Sequence, residues 1–557
     1  MNAKWSRFMI RNNRFLQNRL GAVNPVLATL GGFVVAVILL VLLLPRGERQ
    51  SQREKRPLVI LAAAGLRAPL EEILQQYHKE MGVETQVQYG GSNLLLNQLK
   101  VNKFENPDLY LAADSFYTER AINEGLAAEV IPLARQEPVI AYRRGAQPAT
   151  ASWEDLLSKG VRWSLADPEQ TAVGRATRKL LQTIPGHSGL PDGSNAESLW
   201  KRLETQTTQA GVFKATVNDV ANDIKIGAVD VGIVWSSTVA NPEYRDHLVA
   251  IRFSELPETA SLANIYDEVS VAVLTVSSRP TEALRLARFI GAADRGLPVF
   301  KAAGLTPLEG DVWSPVPEIT FFCGAVNRRA IEPVLETFQK REGVVVNTVF
   351  DGCGILTSRM GTMIGQKQSA GFPDVYMACD RYYLDNVKDW FQEDVDVSKT
   401  EIVLVVPKGS QKVASIEDLV KPGVRVSLGE PDQCTIGALT RRLLNQAGIY
   451  EKLKEKQLQT GEVVIEKSSS ALIVPDVLTG HVDAAIAYRN DVMTHGDAVD
   501  VIAIDSPFTL AIQPLSIARN SQHKQLVRRL YRQVEQAEKQ FESVGFDFLL
   551  GTRARSR

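Results

Sequence analysis

The chain has 557 residues, 45% of them hydrophobic and 23% charged, and a formal net charge of −1. That length exceeds one compact core and suits two domains of about 250 residues each. Balanced charge leaves no electrostatic footprint for nucleic acid or another polyanion, and six histidines without ligand spacing argue against a histidine-rich metal enzyme.

In chain order, the first feature is an uncharged run at 26–44, "VLATLGGFVVAVILLVLLL". Its nineteen residues are enough to cross a bilayer core as a helix. No small-residue cleavage site and no nearby cysteine follow it, so a retained signal anchor is expected rather than a cleaved leader or a lipoprotein. Residues 1–25 carry Lys4, Arg7, Arg11, Arg14 and Arg19 with no acid, whereas the basic residues of 46–56 are offset by Glu48 and Glu54. The more positive flank stays inside. The expected layout is a cytoplasmic segment at 1–25, a transmembrane anchor at 26–45, a linker at 46–56 and an extracytoplasmic remainder.

Past the anchor the chain repeats itself. "PLVILA" (57–62) reads as a buried strand, followed by a helical face of Leu70, Ile73, Leu74 and Tyr77. A strand "ETQVQY", a turn "GGSN", a helix and "NPDLYLAAD" come next. The second half runs "EITFFC", a face of Ile331, Val334, Leu335 and Phe338, then "VVVNTVF", "DGCG", a helix and "FPDVYMACD". Further on, "ADPEQTAVGRATRKLL" (166–181) matches "GEPDQCTIGALTRRLL" (429–444), and "GAVDVGIVW" matches "GHVDAAIAY". The offset drifts only from 266 residues (Asp108 to Asp374) to 253 (Trp235 to Tyr488), which marks two copies of one domain. The copies are expected at 57–311 and 319–550, with the linker "VWSPVPE" (312–318) between them. Alternating strands and helices predict mostly parallel α/β sheets, with ligand outside the carboxyl ends of the strands, where the glycine turns fall.

The order "AAAGL", "YGGSN", "PDLYLAAD", "ADPEQTAVG", "GIVW" resembles the periplasmic molybdate/tungstate-binding proteins of the type 2 solute-binding superfamily. The resemblance implies two α/β lobes per domain, a hinged cleft, and crossover strands near 137–142 and 268–274. It also implies a tetrahedral dianion held by neutral donors: hydroxyls, backbone N–H groups and a tyrosine. The residues agree, because each glycine turn opens a helix whose first N–H groups and dipole favour an anion. In the first copy these starts fall at Gly65, Ser92–Asn93 and Val173–Gly174.

Carried over by position, the implied ligand residues of the first copy are Gly65, Ser92, Val173, Val217 and Trp235, and Asn93 beside Ser92 adds an amide that can donate or accept. A helix N-cap is the alternative reading of Ser92. Those of the second copy are Val326, Cys353, Ile436, Ser470 and Tyr488. Gly65 and Trp235 stand where the family has a serine and the tyrosine, so molybdate itself is not implied for this chain. Arg67 and Arg328, just inside the first helix of each copy, are candidate anion contacts, with a solvated arginine the alternative. Asp108 and Asp374 read as structural, fixing the turn into the third strand.

All four cysteines, Cys323, Cys353, Cys379 and Cys434, lie in the second copy and map to its cleft side. Three readings stand: cleft disulfides, a thiolate site for a soft metal such as Cu(I) or Zn²⁺, or small buried residues at strand ends. The expected function is capture of a small solute, an oxyanion first, for an ABC-type permease or for sensing. No catalytic constellation, cofactor or nucleic-acid partner is expected. A degenerate binding-fold scaffold, and thiol-based or soft-metal binding in the second copy, are the alternatives.

Overall fold

The computed structural model describes residues 56–101, 103, 105–146, 152–185, 197–262, 266–366, 370–460, 462 and 464–550. The expected anchor, 26–45, and its cytoplasmic flank lie outside the described residues. Among the described residues, no helix is long and apolar enough to cross a membrane. From Leu58 onward the chain forms one compact unit.

In the first copy, strands β1 (Leu58–Ala63), β2 (Thr85–Gly90), β3 (Leu109–Ala112) and β4 (Ala127–Gln136) belong to one lobe. The next five, β5 (Pro138–Arg143), β6 (Trp163–Ala166), β7 (Gly211–Lys214), β8 (Val231–Trp235) and β9 (Leu248–Arg252), form the second lobe. The chain then returns to the first lobe as β10 (Asp267–Leu274) and β11 (Thr306–Pro307). The two sheets run β11-β4-β10-β3-β1-β2 and β7-β6-β8-β5-β9.

The second copy uses β12 (Glu318–Gly324), β13 (Val345–Asp351), β14 (Val375–Met377), β15 (Phe391–Pro407), β16 (Val426–Gly429), β17 (Val464–Lys467), β18 (Ala484–Tyr488), β19 (Val499–Ile502), β20 (Leu510–Ala518) and β21 (Asp547–Phe548). Its strands run β13-β12-β14-β20-β15-β18-β16-β17, with β19 and β21 also on β15. The order β2-β1-β3-β10-β4 thus recurs as β13-β12-β14-β20-β15, and β9-β5-β8-β6-β7 as β19-β15-β18-β16-β17. The internal duplication holds at the level of topology.

Three expectations need correction. The sheets are mixed rather than mostly parallel: β1 pairs β2 and β3 in parallel, but β10 runs antiparallel to β3 and β4. A chain that leaves a lobe on one strand and returns beside it must reverse direction there. One crossover also sits elsewhere. The first crossing, Glu137 between β4 and β5, falls within the expected 137–142, but β10 pairs β3 and β4, so 268–274 is a first-lobe strand and the second crossing precedes it. In the second copy one 17-residue strand, β15, serves both sheets, its first half pairing β20 and its second half β18 and β19. Finally, β12 starts at Glu318, inside the expected linker.

That linker is docked, not loose. Trp313 packs edge-on against Phe289 and Tyr77, with ring centroids 5.0 and 6.4 Å away. Asp311 accepts the N–H groups of Gln525 and Leu526, each at 2.8 Å, and so caps the helix Lys524–Glu535 of the second copy. Across the junction, Glu342 at the end of the helix Arg328–Glu342 takes Arg288 of the first copy (3.0 Å) and Arg529 of the second (2.6 Å). Arg341 reaches Glu129 at 2.6 Å. The two copies therefore share a buried polar joint. Asp108 and Asp374 behave as expected: each accepts an N–H of the first strand (Val59 or Thr320, 2.9 Å) and a hydroxyl (Ser277 or Ser521, 2.6 Å).

Candidate binding cleft

The first copy is closed over a small cavity. About 260 Å³ of non-atom space, open mouth included, is lined by Gly65, Ser92, Val173, Val217 and Trp235 together with Ala63, Gly91, Thr171 and Thr216. No Lys, Arg, Asp or Glu lines it. Strand ends β1, β2 and β8 deliver the chain to the cavity, and four helical starts open on it: Ala64–Leu66, Ser92–Lys100, Ala172–Leu181 and Val217–Ile226. The first N–H groups of a helix have no intrahelical acceptor. The wall is therefore a set of converging amide dipoles, able to hold an anion without a formal countercharge.

Several side chains have other duties. Thr171 and Thr216 cap their helices, accepting Gly174 N–H (3.0 Å) and Asp219 N–H (3.2 Å), so Gly174 is not a free donor. Ser92 is not an N-cap: it is the first residue of its helix, after Gly91, and its Oγ accepts Ala113 N–H at 3.3 Å, leaving its own proton to give. Asn93 departs from expectation. Its amide donates across the cleft to the Glu169 carbonyl, and its N–H to Gln170 O at 3.2 Å, so it ties the lobes rather than lining the cavity. Arg67 is not among the residues that line the cavity. Arg67 lies exposed over the Tyr89 ring (4.4 Å), and Arg328 pairs with Glu332 (3.0 Å).

One buried polar group behind the cavity wall escaped the sequence reading. The Thr238 hydroxyl is buried without a hydrogen-bond partner, and a Cβ on Gly65 would lie 4.0 Å from it. It stands three residues after Trp235, aligned with Asp491 of the second copy. A Thr opposite an Asp in otherwise matched segments was the available signal.

The lobes are latched at the cavity rim. Tyr117 OH donates to Thr171 O (3.4 Å) and Asn218 Nδ2 to Ala64 O (3.0 Å). Arg175 of the second lobe pairs with Asp114 of the first and lies 3.9 Å from Asp267 on β10. Burial, and then the neighbouring Asp114 charge, push the Asp267 carboxyl up to about 7, against the pull of Arg175. A raised carboxyl holds a proton that the unfolded chain has already released, so its contribution to stability falls as pH rises from about 4 to 7. We expect wild type to match Asp267→Asn at pH 4.5 and to fall progressively below it at pH 6 and 8, and thermal melts at those three values check it.

In the second copy the aligned positions Val326, Cys353, Ile436, Ser470 and Tyr488 are all buried. Val326 is accommodated by an exchange of volume. A Cβ on Gly65 would meet Val217 Cγ1 at 2.9 Å, whereas here valine fills the glycine position and serine replaces that valine. The four cysteines are free and buried. Among the described residues, no group of three or more His, Cys, Asp or Glu could hold a metal ion, so neither a four-cysteine site nor a disulfide is formed. Cys323 and Cys434 pack as small buried residues, their sulfurs turned to the carbonyls of Gly324 (3.7 Å) and Lys467 (3.2 Å). Only Cys353 and Cys379 meet, with sulfurs 3.0 Å apart.

A pair of lobes joined by two crossings, with helix starts converging on the gap, defines the class: two tandem solute-binding clamshells. The family model for bacterial extracellular solute-binding proteins matches residues 58–306 and again 319–547, and the chain belongs to that family. Over 237 residues it is 24% identical to the "putative ABC transporter substrate-binding lipoprotein YvgL" of Bacillus subtilis, covering 41% of this chain and 85% of that protein. Over 135 residues it is 25% identical to the molybdate-binding protein ModA of Escherichia coli K12, covering 23% of this chain and 51% of that one. Among solved structures, the periplasmic molybdate-binding protein of Azotobacter vinelandii matches with a TM-score of 0.36 and 17% identity, covering 45% of this chain and 98% of that one.

Proposed function

We propose that this chain is a membrane-tethered, extracytoplasmic solute-binding protein whose first domain captures a small oxyanion of the molybdate/tungstate type for ABC-type uptake or sensing. The observation that carries the reading is the uncharged cavity onto which four helical starts open. Neutral donors suit an anion that must be released again, and the small volume suits an inorganic ion rather than a drug-sized solute. Relatives described as ABC substrate-binding and molybdate-binding proteins support the same class. The tether rests on the apolar run at 26–44 and its positive flank.

Thermal melts of the purified protein with molybdate, tungstate, sulfate and phosphate test the ligand. A true ligand at one hundred times its Kd stabilises the closed domain by about 2.7 kcal/mol. Ser92→Ala should weaken binding by about tenfold or more, the value of one hydrogen bond to a charged group. Silence from all four anions would defeat the oxyanion reading and leave a scaffold that reuses the fold.

A further inference from the structure

The second cleft is rebuilt around sulfur. Ser92 of the first copy is matched by Cys353 and Ala113 by Cys379, and Ala63 is matched by Gly324. That last exchange makes room: a Cβ on Gly324 would collide with Cys379 Sγ and lie 2.8 Å from Cys353 Sγ. Cys353 opens the 13-residue helix Cys353–Gly365, where the dipole favours a thiolate, and its sulfur accepts Cys379 N–H at 3.1 Å. The hydroxyls of Tyr376 and Thr435 turn to the Cys353 sulfur as their one partner, and the Tyr488 hydroxyl, buried beside the same pair, has no hydrogen-bond partner. Thr435 and Tyr488 come from the opposite lobe. A buried hydroxyl left unpaired, with two more that have only a thiol sulfur to meet, points to a ligand that carries both a thiophilic centre and oxygen.

The chemistry narrows that ligand. A tetrahedral ion such as Zn²⁺, with metal–sulfur bonds of about 2.3 Å, would spread two thiolates to about 3.8 Å and ask for two more ligands. The sulfurs stand at 3.0 Å, and no third metal-ligating side chain joins them among the described residues. A pyramidal trivalent centre, with bond angles near a right angle, holds its two sulfurs closer. Nor does this cleft favour an anion. Asp491 occupies the position of Thr238 and is half-buried, with one carboxylate oxygen buried and unpaired. An uncharged guest avoids that repulsion.

We propose that the second domain's cleft is a dithiol site for an uncharged trivalent metalloid oxyacid, of which arsenious acid is the representative. Cys353 and Cys379 are its ligands, and the Tyr376, Thr435 and Tyr488 hydroxyls surround its remaining oxygen. Binding is an exchange without redox change. Two arsenic–oxygen bonds break and two arsenic–sulfur bonds form, and the two thiol protons leave with the displaced hydroxides as two waters. One As–OH remains in the cleft. This inference stands apart from the oxyanion reading of the first domain, so either can fail alone.

The test uses the full chain, reduced and then incubated with arsenite. Elemental analysis should find one arsenic per chain, and thiols titrated after unfolding should fall from four to two. Cys353→Ser and Cys379→Ser should each weaken retention by about 100-fold or more, since the second thiol acts at high effective concentration. Cys323→Ser, which lies outside the pair, should retain arsenic. Melting curves identify any variant that fails to fold, and for such a variant Cys→Ala at the same position replaces it. No arsenic on the reduced wild type, equal retention by Cys353→Ser, or zinc bound as tightly as arsenite would each overturn the proposal. So would a Cys353–Cys379 disulfide in protein from the native membrane whose reduction restores no uptake.

Discussion

Replacing Gly91 by alanine is expected to hold the first domain open and to abolish tight ligand capture while leaving both lobes folded. Gly91 precedes the helix Ser92–Lys100 with φ −67° and ψ 140°, ordinary values that alanine adopts freely, so the substitution strains no backbone. What it meets is the other lobe. A Cβ at Gly91 would collide with the Gln170 carbonyl and lie 3.1 Å from Ala215 O. Both are backbone atoms and cannot turn aside. Overpacking of this kind costs about 1–3 kcal/mol, and the open state escapes it altogether. The closed population, and with it the apparent affinity, should drop by about ten- to a hundredfold. Small-angle scattering should show a larger radius of gyration, while the circular dichroism stays unchanged. A Gly91→Ala protein as compact as wild type would show that the lobes do not close along this seam. Gly352 holds the equivalent place in the second copy, where a Cβ would collide with Ser468 O, so Gly352→Ala should open that cleft independently.

Truncating Glu342 to alanine should be the most destabilising single change at the joint between the copies, by about 3–5 kcal/mol, because it leaves two buried arginines unpaired. Glu342 is 1% exposed, and Arg288 and Arg529 are 7% and 5% exposed. Arg288 is already short of partners: its Nε and Nη2 are buried without acceptors, and burial pushes its guanidinium down to about 10. Burial alone would raise the Glu342 carboxyl, but Arg529 and then Arg288 outweigh it and hold the group below its ordinary value of 4.5. A depressed carboxyl contributes stability that is present above the unfolded value and lost as pH falls below it. Acid should therefore loosen this joint, and Glu342→Ala should remove that acid sensitivity. Calorimetry should resolve the single wild-type transition into two, one per copy, because Arg288 belongs to the first copy and Glu342 and Arg529 to the second. A single unshifted transition in Glu342→Ala would mean that the triad does not couple the domains. A hydrophobic triple, Arg288→Met, Glu342→Leu and Arg529→Met, is expected to be close to neutral, since no charge is then left buried alone.

Much of this protein was legible in one dimension. Duplication could be read because matched segments recur in the same order, and the strands followed from short apolar runs bounded by glycine turns. Gly65, Ser92, Val173, Val217 and Trp235 could be nominated together because each sits where a strand end meets a helix start, and the structure gathers them on one cavity. Side-chain direction was not legible. Asn93 is adjacent to Ser92, yet it reaches across the cleft to Glu169 while Ser92 turns to Ala113. Arg67 and Arg328 share a position and an outward course along aromatic faces, which no spacing announces.

The amino-acid sequence by itself determined the architecture: periodicity and punctuation are local properties, and two copies of the same pattern must fold twice the same way. Which of four cysteines become neighbours, that Thr238 faces Gly65 across more than 170 residues, and that Glu342 is shared by arginines from both copies were decided only by tertiary packing. The physical reason is that hydrogen bonds, thiol pairs and buried charges act over a few ångströms, and such distances exist only after the lobes have closed and the copies have docked.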